Sequence, residues 1–394
     1  MSQFLNDELC ATFRKAISSS PIFNQGEEQK KHYDLICAVM DRLDTCVKYL
    51  NNHTTKPTTE EDFIIFVMFG CMMVDAVKKT LKALKIPYKY NNADDPANYQ
   101  YFKDVCMGYP LNISEADCPT DEKFIEYFRS LVFAHPVETN RANFLKKNNE
   151  KHYSPWVIVN SFDPKIPNGV GARIYSDAYE GWENIKDLKF PFSKLQEFLK
   201  SRYELIEQAT MWAKGQISET EAVWVQRKVN RTLPAIDILK DIADILESRF
   251  FDDYSVDDAI SCLECKSTVL ENETNVAEFR NAIINAIPDI CDAVDLLDNE
   301  TWVGILDDIL RAFPKSMHNS SYYQLEKIYT YLQAGNEYAE SGNFEWGLKQ
   351  AELFADEFAK KYVIIKPYEM DIDEIKMLVM VACYFEKKAQ GEKK

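Results

Sequence analysis

Phe128-Arg129-Ser130-Leu131-Val132-Phe133-Ala134-His135-Pro136-Val137-Glu138-Thr139-Asn140-Arg141 ends an apolar helical run with an arginine, follows it six residues later with a histidine, and stops at a proline. Phe124, Ile125, Phe128, Leu131 and Val132 recur at the spacing of a helix with one buried face. Thr120 or Asp121 can cap its start, because their side-chain oxygens accept from orphan backbone N–H groups. Pro136 strains or ends the helix, since proline has no N–H to donate and disfavours helical geometry in the residue before it. Such a helix, burying one face and delivering Arg129 and His135 at its end, is one member of a bundle.

Its expected neighbours lie on both sides. Over residues 32–50, Leu35, Ile36, Val39, Met40, Leu43, Cys46, Val47 and Leu50 repeat at three and four, which predicts an amphipathic helix. Thr58-Thr59-Glu60-Glu61-Asp62 supplies a cap and an acidic first turn to a second, broadly apolar helix that runs to residue 84, before Pro87. Residues 88–118 read as a long connection with a short helix near 99–107. Between residues 154 and 192 the pattern changes. Trp156-Val157-Ile158-Val159, Ala172-Arg173-Ile174-Tyr175 and Leu188-Lys189-Phe190 are β-prone runs punctuated by proline and glycine, which predicts a small β-hairpin insertion. Helical periodicity returns at Phe192 and continues past Trp212 as one long helix. After Pro234 the chain reads as helix at 236–250, 256–270, 276–297, 302–312, 322–339, 344–361 and 371–388. The expected architecture is therefore mostly α: a helical bundle with a β insertion over residues 1–230, then a second all-helical domain over 231–394.

With 394 residues, 46% of them hydrophobic and 13% aromatic, the chain has ample material for two cores. The formal net charge of −17 opposes nonspecific coating of nucleic acid, which relies on clustered Lys and Arg. Neither DNA nor a membrane is an expected partner. The most apolar run, residues 63–74, is too short to span a bilayer. The start, Met-Ser-Gln-Phe-Leu-Asn-Asp-Glu, carries neither a basic nor an apolar leader, and ten irregularly spaced cysteines suit a reducing compartment, so a cytoplasmic protein is expected.

An arginine and a histidine with four to six residues between them should occur by accident on the order of 0.4 times in a chain of this composition. Arg311 and His318 meet the same loose pattern. The setting gives Arg129 and His135 their weight: a bundle helix, a proline stop and a second arginine, Arg141, close by. Here residues 28–225 resemble the HEPN superfamily, helical-bundle proteins of prokaryotic defence and toxin systems whose motif is Arg, four to six residues, then His. The resemblance implies an endoribonuclease needing neither metal nor other cofactor, with RNA as substrate and a homodimer forming a composite site from two facing motifs. It makes Arg129 and His135 catalytic. His135 would move the proton of the ribose 2'-OH or of the leaving oxygen, and Arg129 would stabilise charge on the phosphorane, giving a 2',3'-cyclic phosphate. Ser130, where active family members often carry Asn, Asp or His, and Arg141 would support the site or bind RNA. The C-terminal domain would recognise a protein partner.

The competing expectation is a non-catalytic helical scaffold whose acidic surface recruits a partner. Arg129 would then form a salt bridge with Glu122, Glu126 or Glu138, and His135 would cap a helix C-terminus, where the dipole favours its charge. Trp156, Tyr175, Tyr179, Trp182 and Phe190 on the insertion could stack single-stranded bases, or could equally pack the insertion on the bundle or form a dimer contact. Cys262-Leu263-Glu264-Cys265 is a lone pair of thiols inside a helical run, which favours packing over zinc or redox chemistry. The acidic runs at 257–258, 292–298 and 307–308 match no calcium loop and read as solvated helix faces. Gly169-Val170-Gly171 lacks the third glycine of a dinucleotide fingerprint, and no phosphate-binding loop is found.

Overall fold

A computed structural model describes residues 4–91, 94–139, 151–159, 164–177, 184–312, 317–332 and 343–391. The protein is mostly α-helical with a small antiparallel sheet, and it divides into two compact units, Met1–Ile217 and Ser218–Lys394.

In the first unit α1 (Glu8–Ser18), α2 (Ile22–Gln25) and α3 (Glu27–Lys30) precede α4 (Tyr33–Asn52) and α5 (Glu60–Ala83). The expected face of α4 is buried from Ile36 through Leu50. Thr59 caps α5 by accepting from the Asp62 N–H at 3.1 Å. The connection that follows holds α6 (Lys103–Met107) and is tied down by Asp121, whose carboxylate accepts from the N–H groups of Gln100, Tyr101 and Phe102 at 2.8–3.2 Å. Thr120 caps α7 (Asp121–Arg129), which continues as a π-helical turn, Ser130–Ala134.

Four strands follow: β1 (His152–Tyr153), β2 (Val157–Ile158), β3 (Gly169–Ser176) and β4 (Ile185–Pro191). All pair antiparallel to β3, with β4 along one edge and β1 and β2 in succession along the other. Val170, Ala172 and Ile174 alternate into the core, as period-two burial requires. The single long helix expected from residue 192 is two, α8 (Phe192–Tyr203) and α9 (Ile206–Trp224). Tyr203, Leu205 and Ile206 are all buried, and a straight helix would point the first two to opposite sides, so the chain breaks between them. The division between the units falls within α9, earlier in the chain than Pro234.

The second unit contains α10 (Ala235–Ser248), α11 (Tyr254–Glu264), α12 (Glu273–Asp295), α13 (Asn299–Leu310), α14 (Asn319–Tyr331), α15 (Asn343–Glu357) and α16 (Ile372–Gly391). Every residue of α16 from Met377 to Cys383 is buried, against α11, α12 and α13. A helix apolar on all sides belongs at the centre of its unit. No helix among the described residues is long and apolar enough to cross a membrane.

Candidate functional site

Phe124 and Phe128 fix the rotation of α7. Both meet Phe190 of β4 edge-on, at centroid separations of 5.8 and 5.0 Å. Burying three rings on one side stabilises the seat by roughly 1.5–3 kcal/mol per ring. Arg129 is thereby directed to α5, where its Nη1 donates to Asp75 Oδ2 at 3.2 Å. Its Nε is buried with no hydrogen-bond partner among the described residues. None of the carboxylates expected from sequence pairs with it. Glu122 is held by Arg202, Lys78 and Tyr88, and Glu138 by Lys151 at 2.7 Å. The physical reason is that α5 packs along α7, so a residue distant in sequence lies nearer than those a turn away.

The π turn separates Arg129 from His135. The His135 N–H donates to Ser130 O at 2.9 Å, one residue further back than in an α-helix. Pro136 cannot donate the next bond and pushes His135 out of helical geometry, to φ −147° and ψ 54°. The His135 ring is exposed and makes no hydrogen bond among the described residues, while its carbonyl accepts from Thr139 Oγ1 at 2.8 Å. Arg129 and His135 thus stand at the two ends of one π turn with no hydrogen bond between them among the described residues. Ser130, expected to support the site, is buried, and its hydroxyl donates to Glu126 O at 3.0 Å, so RNA cannot reach it in this conformation. Arg141 lies outside the described residues.

Two contributors were not found from the sequence. Asp75 sits in a run read only for its apolar face. His152 of β1 is buried, and its Nδ1 lies 2.6 Å from the hydroxyl of Tyr127, two residues before Arg129. Together with backbone bonds between His152 and Thr139, this contact pins the chain after His135 to the sheet. Strand pairing brings these residues together, and no sequence spacing links them.

A cleft of about 550 Å³ opens beside the turn, within the range of about 300–1,000 Å³ common for small-molecule sites. Pro136 and Val137, which follow His135, form one wall, and Tyr153, Trp156 and Tyr175 of the insertion form another. Of the aromatics expected to stack bases, Trp156 and Tyr175 line this cleft, whereas Phe190 is buried against α7. Tyr179 and Trp182 lie outside the described residues. The basic side chains nearby are each paired with an acid: Arg129 with Asp75, Lys151 with Glu138, and Arg173 with Asp187.

The remaining motifs are structural. Burial pushes the Cys262 thiol up to about 12 and the Cys265 thiol up to about 11, so neither offers a ready thiolate for metal or redox work. Arg311 pairs with Asp307 at 3.1 Å and Asp258 at 3.6 Å, and His318 caps α14, accepting from the Ser320 N–H at 3.2 Å. Asp292 and Asp295 hold Arg231, at 2.7 and 2.8 Å. Among the described residues no group of His, Cys, Asp and Glu is arranged to hold a metal ion. Compared with protein-family profiles, curated proteins and solved structures, the chain matches none.

Proposed function

We propose that the protein is a metal-independent endoribonuclease of HEPN type, cytoplasmic and homodimeric, acting in prokaryotic phage defence or growth arrest. The observation that carries this is an exposed histidine ring with no hydrogen-bond partner among the described residues, held one π turn beyond an arginine in a helical bundle. π turns occur frequently at functional sites. Arg129 is about one-third exposed and Asp75 about half, so their ion pair contributes roughly 0–1 kcal/mol and can yield to a phosphate, which an arginine binds bidentately. Two such motifs facing one another would supply the base, the acid and the charge stabilisation for attack by the 2'-OH. DNA, lacking that hydroxyl, would be left intact. The second unit would recognise a partner protein.

The experiment is RNA cleavage by the purified chain and its variants in the presence of a metal chelator. His135→Ala and Arg129→Ala are each expected to lose about a hundredfold or more in rate, while the chelator and a DNA substrate change nothing. Arg129 is only about one-third exposed and its Nε is buried, so thermal unfolding of both variants is measured beside the rates, and a rate loss in a variant that remains folded cannot be ascribed to unfolding. Unchanged cleavage in both variants, or cleavage that stops with the chelator, sinks the proposal.

The competing reading, an acidic scaffold without catalysis, is favoured by one observation: Arg129, Lys151 and Arg173 all carry carboxylate partners already. A dimer that binds a basic protein yet leaves RNA intact would establish it.

A further inference from the structure

The cleft beside the π turn has a chemistry of its own. Among the described residues that line it there is no lysine, arginine or histidine, and its one charged group is the Glu60 carboxylate. A phosphate would be repelled there, and a neutral group bearing N–H donors would be attracted. Glu60 Oε2 accepts from the Val157 N–H at 3.3 Å, which holds the carboxylate at the cleft and leaves it capacity for further donors. Ser154 also lines the cleft, nine-tenths buried, and its Oγ has no hydrogen-bond partner among the described residues. A buried hydroxyl without a partner costs about 1–3 kcal/mol unless something supplies one.

The aromatic wall is rigid. Arg173 lies 5.1 Å from the centre of the Trp156 ring, and two bonds to Asp187, at 2.6 and 3.0 Å, fix the guanidinium. Cation–π contact backs the indole, which remains 42% exposed. An aromatic platform, an acceptor with two oxygens and one buried hydroxyl together describe a receptor for a planar, donor-bearing heterocycle. Unpaired bases are bound in this way, stacked on aromatics and read along their Watson–Crick edges.

We propose that this cleft binds a guanine base of the RNA strand, next to the nucleotide presented to His135. The assignment rests on the ribonuclease reading for its biological context. Guanine offers adjacent N1–H and N2–H donors to both oxygens of a carboxylate, and O6 to a hydroxyl, whereas adenine and cytosine offer the carboxylate a single amino group. Paired charge-assisted bonds are the stronger arrangement. Since Pro136 and Val137 belong to the same wall, a base seated here brings its ribose-phosphate to the side of the turn that carries His135.

Calorimetric titration of the full chain with the four free nucleosides tests the assignment, because a nucleoside has no phosphate to bind elsewhere and cannot be cleaved. Guanosine is expected to bind, with adenosine, cytidine and uridine weaker by about tenfold or more. Trp156→Ala and Glu60→Gln should each weaken guanosine by about tenfold, the latter while retaining an acceptor for the Val157 N–H. Both side chains are exposed, so neither change threatens the fold. Absence of guanosine binding, equal affinity for all four nucleosides, or guanosine binding that survives both substitutions overturns the inference. Guanosine binding without RNA cleavage would remove the ribonuclease and leave the base site standing; cleavage without guanosine binding would do the reverse.

Discussion

Arg202 has no exposed surface, and the residues around it show how a charge is kept inside this protein. Its Nε donates to Glu122 Oε1 at 2.8 Å, its Nη1 to Ser201 Oγ at 2.9 Å, and its guanidinium lies 3.5 Å from the centre of the Tyr90 ring. Glu122 is shared among Arg202, Lys78 and Tyr88, so α7, α8, α5 and the connection after α5 meet on one carboxylate. Burial works to raise the pKa of Glu122, but Lys78, Tyr88 and Arg202 outweigh it and hold the carboxyl below its ordinary value. A depressed carboxylate stabilises the fold fully above its unfolded value of 4.5 and loses that contribution as pH falls through the folded value. Glu122→Gln, which takes from buried Arg202 the carboxylate it bonds to directly, should cost about 3–5 kcal/mol near neutral pH. In chemical denaturation the gap between wild type and variant should narrow as the pH drops below 4.5; a gap that is constant with pH would refute the assignment. The sequence marked Glu122 only as a candidate partner of Arg129. Which partner it finds depends on residues from four separate elements, and no spacing encodes that.

At the scale of elements, β3 anchors the insertion that walls the cleft. Gly171, noted in the sequence only as part of an incomplete glycine motif, explains itself here. A Cβ at that position would sit 1.8 Å from the Leu188 carbonyl oxygen of β4, a backbone atom that cannot step aside. Gly171→Ala should therefore push β3 from β4, destabilising the first unit by about 1–3 kcal/mol or more and weakening ligand binding in the cleft through displacement of Trp156, which pairs along β3. Thermal unfolding and nucleoside titration of the variant check both effects, and wild-type behaviour in both would contradict the close approach. Helices with strong periodicity, α4 and α5 among them, were legible because burial of one face is written locally in residue spacing. Thr59 and Thr120, which cap α5 and α7, were legible because a cap is written in the residues beside the first turn. The two-residue strand β1, the break between α8 and α9 and the π turn were not, since each is set by what packs against it. Pro136 announced where α7 stops, but the i+5 bond made by His135 depends on how Pro136 O and Thr139 are then captured, by Ser154 and His152.

For the whole molecule, the formal charge of −17 and the two cores point to different kinds of information. The charge bears on solubility and partners and says nothing of fold. The cores say where the chain can be cut. A boundary between residues 230 and 231 was the natural reading, because Pro234 interrupts helical periodicity near there, whereas the second compact unit begins at Ser218. Arg249 shows why. It is buried, and its Nη2 donates to the carbonyls of Trp224 and Arg227 at 2.9 and 3.1 Å, while Nη1 donates to Val294 O at 2.7 Å. Trp224 also meets Phe250 and Phe251 edge-on, at 6.5 and 5.9 Å. Asp295 in turn accepts from the Val229 N–H and from Arg231, at 2.9 and 2.8 Å. A fragment covering residues 218–394 keeps every one of these contacts and should unfold as a single cooperative unit. A fragment starting at residue 231 loses both carbonyls that satisfy Nη2 of a buried guanidinium, at about 1–3 kcal/mol for the group left unsatisfied, and loses the tryptophan packing besides. Paired denaturation curves should place the shorter fragment lower by at least that amount, or show it failing to fold. Equal stability of the two would mean that residues 218–230 are a linker and that Arg249 finds other acceptors when they are gone.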